Sequence, residues 1–195
     1  KDRNVVQSAR FEDLIAKFRA KYQEGFHDAR FIADEREYKE EAHRTAVEQL
    51  AESALRELVT AGRIETVVER ALGVLAKTNV ASHYEVIQLR NALAEPAARQ
   101  RFAEELIALL HGSGETELRF ANWASFLEDI GCPKWPIATY FLFVMFPAEH
   151  ILLKPDAMKR VADTMGFELN YSTRPNWLTY RSALTLASRV RVSRM

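Results

Sequence analysis

Cysteine is almost absent from this chain: Cys132 is the single one in 195 residues. That excludes a disulfide framework and any multi-cysteine zinc or iron–sulfur site within the chain. Seven Gly and six Pro are too few for a fold of many short strands and tight turns. Net charge is missing too. Lys+Arg and Asp+Glu number 27 each, so the charge of the whole chain selects no partner. No long hydrophobic run occurs. The longest, Ile137 to Phe146, is ten residues, against the roughly 20 that a helix needs to cross a bilayer. It reads as a buried core helix, and no membrane partner is expected. The start, Lys1-Asp2-Arg3, shows no leader pattern and no initiator Met. The expectation is a cytoplasmic domain, a fragment of a longer chain.

What is present is helical periodicity in a balanced soluble composition, 48 % hydrophobic and 28 % charged. Phe11, Leu14, Ile15, Phe18 and Tyr22 form one amphipathic stripe, ended by Gly25. A charge-dense helical region follows from about Asp28 to Ala61, with a break near Asp34 and a stop at Gly62. Its Glu and Arg/Lys residues alternate in the manner of a solvated face with i,i+4 pairs. Ile64, Val67, Val68, Leu72 and Leu75 mark the next helix. Ser82 with Glu85 three residues on gives a capping box, and Pro96 opens the helix after that. Past the loop His111-Gly-Ser-Gly114, a helix carrying Trp123 closes at Gly131. Three more are expected over Pro136–Phe146, Asp156–Met165 and about Asn176–Val190, with Asn176 as an N-cap. The fold class is therefore all-α, a multi-helix orthogonal bundle of eight or nine helices. The loop at 111–116 is the expected boundary between an acidic helical part, 1–110, and an aromatic-rich part, 117–195. One compact domain remains the alternative.

Charge sharpens that division. From Ile151 onward eight cations (Lys154, Lys159, Arg160, Arg174, Arg181, Arg189, Arg191 and Arg194) face three acids, and none of those acids follows Glu168. The end is +5 and residues 1–150 are −5. Clustered positive charge is the footprint of an anionic partner, and a polar helix face is the plainer account.

Residues 126–166 carry the most information. Leu127-Glu-Asp-Ile-Gly131 ends one helix, Cys132-Pro-Lys-Trp-Pro136 turns, and an apolar helix follows. The second helix of such a hairpin begins with unsatisfied N–H groups and a positive dipole end, which can grip a phosphate. Lys134 stands beside the turn.

Leu127 to Gly131, Ile137-Ala138-Thr139 to Phe146, and Lys154-Pro155-Asp156 to Val161, continuing to Met165-Gly166, resemble the helix-hairpin-helix DNA glycosylase superfamily over about 40 of the 195 residues. The resemblance implies DNA contact at the hairpin. It departs from the family where catalysis would sit. Asp129 replaces the hairpin's first Gly, the turn is two residues longer, and the family's catalytic Asp position falls on Pro155, which cannot supply a carboxylate. Asp156 reads as a helix N-cap; a shift of one residue would make it the acid.

Other constellations are weaker. Glu40-Glu41-Ala42-His43 contains the Glu-x-x-His spacing of helical di-iron bundles, and Glu24-x-x-His27 repeats it around a Gly. Gly25 makes the second a poor helix, and the first reads as a solvent-facing acidic helix. The five histidines show no i,i+4 pair for zinc. Lys134 beside Cys132 would lower the thiol pKa, although a small turn residue is the simpler role. Trp123 reads as core. Trp135 and Trp177 read as seals of helix ends, with base stacking the alternative. No phosphate-binding glycine loop or nucleophile elbow occurs.

The resulting expectation is non-sequence-specific nucleic-acid binding by a glycosylase-like helical domain lacking catalysis, with no cofactor and no metal. Its contacts would be Gly131, Lys134, Lys154, Lys159, Arg160 and Arg174. A helical protein–protein interaction module of a larger protein is the competing class. An active glycosylase using Asp156 is the third.

Overall fold

The structure is a computed structural model that describes residues 2–192; Lys1 and the last three residues, Arg194 among them, lie outside it. Ten helices and no strand occur among the described residues. They are α1 (Asp2–Lys21), α2 (29–49), α3 (Glu52–Thr60), α4 (Ile64–Leu75), α5 (His83–Ala92), α6 (Pro96–His111), α7 (Thr116–Asp129), α8 (Trp135–Met145), α9 (Pro155–Met165) and α10 (Trp177–Val192). The all-α expectation holds, with ten helices in place of eight or nine. The break expected near Asp34 is a π-helical turn, Ile32–Arg36, inside α2. The charge-dense region is interrupted where Leu50 caps α2 and a new helix starts at Glu52, and it stops at Gly62, in the left-handed conformation, as expected.

Local rules account for most helix ends. Ser82 and Glu85 form the reciprocal capping box, and the Asn176 side chain accepts from Thr179 N–H at 3.0 Å. The expected cap at Asp156 is corrected. Lys154 occupies the N-cap position with Pro155 first in the helix, so Asp156 lies one turn-position inside. Proline's fixed φ and missing N–H suit that first place, which displaces the acid from the cap.

α8 sits at the centre. Ten of its 11 residues, all but Phe143, are buried, as an apolar surface on every side requires. Phe102 of α6, Trp123 and Phe126 of α7, and Phe141 of α8 form a ring cluster with centroids 5.6–6.3 Å apart, so Trp123 is core. A second cluster joins α7, α8 and α10: the Phe120 ring stacks on Tyr180 at 4.7 Å and meets Trp135 and Trp177 at 6.4 and 5.9 Å. The hydrophobic core runs unbroken from Ala42 of α2 to Leu186 of α10, across the loop at 111–116. That loop is tied down by Arg119, whose guanidinium donates to Leu109 O, Gly114 O and Thr116 Oγ1.

Buried polar bonds fix how the helices meet. Tyr140 Oη donates to Val74 O at 2.8 Å, linking α8 to α4, and burial pushes its pKa up to about 12. His43 Nδ1 lies 2.6 Å from Val144 O, and His111 Nε2 lies 2.8 Å from Leu50 O. Thr139, fully buried, donates to Trp135 O at 2.9 Å and accepts from Leu153 N–H at 3.0 Å. This last bond anchors the 150–154 link that leads into α9. Thr139→Val keeps the shape and leaves the Leu153 N–H buried without a partner, a loss of about 1–3 kcal/mol; urea unfolding of the variant measures it.

Candidate functional site

The hairpin between α7 and α8 closes on itself. Gly131 takes the left-handed conformation at φ 73°. Its N–H donates to Glu128 O at 2.9 Å, and Cys132 N–H donates to Leu127 O at 2.8 Å. These are the two bonds of a Schellman closure, which uses the terminal carbonyls of α7. Lys134 N–H is held by Cys132 O at 2.8 Å, and Pro133 and Pro136 carry no N–H. The free N–H groups at the start of α8 belong to Trp135 and Ile137, both buried. The turn therefore offers no cradle of backbone donors. Asp129 pairs with Arg101 at 3.0 Å. Burial raises the Cys132 thiol to about 11, which overturns the expected lowering by Lys134: desolvation outweighs the ammonium's charge.

The six expected contact residues fall into separate places. Arg174 joins the hairpin by pairing with Glu128, whose carbonyl also holds Gly131. Lys134 is half-buried beside them. The 166–176 segment packs on the turn, because Trp135 Nε1 donates to Ser172 O at 2.9 Å. The Lys159 ammonium sits 4.0 Å over the Tyr171 ring of that segment. Arg160 is exposed. Lys154 stands at a different cleft, of about 520 Å³, with Glu35, Tyr38 and Lys39 of α2 and Met158 of α9. Trp135 is a buried seal, 2 % exposed, whereas Trp177 is half-buried. Pro155 opens α9 and Asp156 is exposed on it.

The Glu-x-x-His spacing assembles no centre. His43 bonds to a carbonyl, Glu40 faces Arg36 at 3.7 Å, and no group of three His, Cys, Asp or Glu side chains able to hold a metal occurs among the described residues.

One polar constellation escapes the sequence pattern. His150, 8 % exposed, lines a cleft of about 450 Å³ with Glu149, Trp177 and Arg181; Glu115, Thr116 and Glu117 at the start of α7 complete it. Tyr180 Oη donates to Ile151 O at 3.1 Å and lies 3.2 Å from His150 Nδ1. A tyrosine has one hydroxyl proton. Both contacts are satisfied when His150 Nδ1–H donates to the Tyr180 oxygen, which leaves Nε2 with its lone pair. The rings lie parallel, 6.0 Å apart. Burial holds the His150 pKa below the ordinary histidine value; Glu149 opposes this and Arg119 reinforces it. Thirty residues separate His150 from Tyr180, and no spacing rule connects them. A buried histidine in an apolar stretch was the one signal.

No protein-family model, curated protein or solved structure matches the chain. No helix among the described residues is long and apolar enough to cross a membrane.

The His150 shift has a definite sign. The unfolded chain takes up the proton near pH 6.5 and the folded chain only below that. Stability from this group is present above about pH 6.5 and is lost as pH falls through the folded value. In His150→Asn the amide N–H replaces Nδ1–H without titrating, so the difference in Tm between the variant and the parent should narrow from pH 7.5 to 5. Calorimetry at each pH reads that difference and cancels the other histidines.

Proposed function

We propose that the chain binds nucleic acid through its phosphate backbone, without sequence preference and without glycosylase chemistry. The observation that carries this reading is the distribution of ion pairs. Of the described cations in the first 150 residues, nine sit on acids, among them Lys17 on Asp13, Lys39 on Glu35, Arg44 on Glu41, Arg56 on Glu52 and Arg101 on Asp129 at 2.7–3.0 Å, while others such as Arg63, Arg70, Lys77 and Lys134 do not. In the C-terminal third Arg174 reaches back to Glu128, whereas Lys154, Lys159, Arg160 and Arg181 have no carboxylate within ion-pair distance among the described residues. Phosphates supply what these side chains lack, and such contacts position a duplex or strand without reading bases. The self-closed hairpin moves the contacts from backbone to side chains, so Gly131 shapes the turn and Lys134, Lys154, Lys159 and Arg160 make the contacts, joined by Arg174 where it exchanges Glu128 for a phosphate. Proline at the expected acid position supports binding over base release. A cytoplasmic location fits the same reading.

A second reading rests on a specific feature, a mostly apolar groove of about 420 Å³ where α1 lies along α9. Leu14 (46 % exposed) and Phe26 (38 % exposed) stand open on it, as they would in a helical protein–protein interaction module.

Anisotropy of a labelled duplex and a labelled single strand, titrated with the chain from 50 to 200 mM salt, separates the two. The proposed function requires binding that weakens steeply with salt, and Lys154→Ala/Lys159→Ala/Arg160→Ala should flatten the log–log slope by about 3. An unchanged slope, or no binding at 50 mM salt, overturns it. Base release from damaged duplex that disappears in Asp156→Asn would establish the catalytic alternative instead.

A further inference from the structure

We infer that the cleft between the start of α7, the turn after α8 and the start of α10 binds a small organic ammonium group, which donates a hydrogen bond to His150 Nε2. This does not depend on the nucleic-acid reading, and it uses different chemistry.

The inference stands on three observations. His150 is more than nine-tenths buried and lines the cleft, and its Nε2, which is not among the fully buried atoms without a partner, makes no hydrogen bond to a described residue. Its other nitrogen is engaged by Tyr180, which is anchored on Ile151 O. The free edge is thus a fixed acceptor. A neutral imidazole whose Nδ1–H is occupied can only accept at Nε2, so the matching group is a donor.

Charge selects the kind of donor. Glu115, Glu117 and Glu149 line the cleft against the single cation Arg181. Arg119 lies close enough to act on His150, and its donors are committed to Leu109 O, Gly114 O and Thr116 Oγ1. His150 also borders the neighbouring cleft, whose charged members are Glu35, Lys39 and Lys154; there Lys39 is paired with Glu35 at 3.0 Å. The unbalanced charge of the first cleft is negative and favours a cation. Trp177, half-buried, lines the same cleft, and an indole ring attracts a cation placed over its face. At about 450 Å³ the cleft is in the size range of small-ligand pockets. A short alkyl ammonium combines the N–H donors and the positive charge with a small stem that can lie against Trp177, the one large aromatic wall of a mostly polar cleft.

The test is a titration of the full chain with n-butylammonium, followed by the ¹H–¹⁵N signals of the His150 ring and by indole fluorescence. Tetramethylammonium, inorganic phosphate and Zn²⁺ are run alongside. Saturable n-butylammonium binding should shift Nε2. It should weaken about tenfold in His150→Asn, which keeps the donor to Tyr180 and removes the acceptor. His150→Gln, whose amide oxygen stands near the place of Nε2, should recover part of the loss. Glu149→Gln should weaken binding and Arg181→Ala should tighten it. Equal affinity for tetramethylammonium removes the hydrogen bond from the account and overturns the inference. Phosphate binding lost in Arg181→Ala reverses the sign of the site, and Zn²⁺ binding lost in His150→Asn makes it a metal site; either overturns the inference. So does the absence of any n-butylammonium response. The nucleic-acid reading is tested at Lys154, Lys159 and Arg160 and this inference at His150, Glu149 and Arg181, so each proposal fails by its own readout.

Discussion

The burial of α8 constrains everything around it. A helix with ten of 11 residues out of water must be covered on all sides, and its own polar atoms must find partners inside the protein. Two side chains of α8 do this in opposite directions. Tyr140 reaches the end of α4, and Thr139 holds the link that enters α9. A third contact comes from outside, His43 on Val144 O, and ties the first half of the chain to the end of α8. These bonds are directional, so they select one arrangement among the many that hydrophobic burial alone would tolerate.

The same constraint positions the candidate sites. Thr139 fixes Leu153, and the link behind it brings His150 beside Tyr180. Trp135, the first residue of α8, fixes Ser172 and thereby the 166–176 segment that carries Tyr171 and Arg174. Both the link that carries His150 and the segment that carries Arg174 are therefore held by bonds that start on the central helix. Their geometry depends on core packing more than on loop conformation, which is the condition for a preorganised site.

The helices and most of their ends were legible because their causes are local. A capping box needs Ser82 and Glu85 three residues apart, and a Schellman closure needs Gly131 within five residues of the carbonyls it satisfies. The π-turn near Asp34 also showed, as a break in the periodicity. Non-local bonds were not legible. His43 finds its carbonyl 101 residues away, and Arg174 finds Glu128 after 46; no periodicity encodes such pairs. Two local inferences failed where physical terms competed. Proline took the first place of α9 and displaced Asp156 from the cap, and burial outweighed Lys134 at the Cys132 thiol.

The hairpin shows why resemblance in pattern and availability of chemistry must be judged apart. A helix–turn–helix stretch with a glycine at the turn has the outline of a phosphate cradle, but a cradle needs N–H groups with nothing else to bind. Here the glycine's conformation serves to terminate α7, and that termination occupies the donors. Two prolines remove further ones, and the carboxylates of Glu128 and Asp129 flank the turn. Any anion held near it must be held by long cationic side chains. Such contacts are tolerant of sequence and sensitive to salt, so a loss of backbone donors turns an oriented grip into a general electrostatic one. On the proposed reading, the closed hairpin leaves Lys154, Lys159 and Arg160, which have no carboxylate partner among the described residues, to hold the phosphates and leave the bases unread.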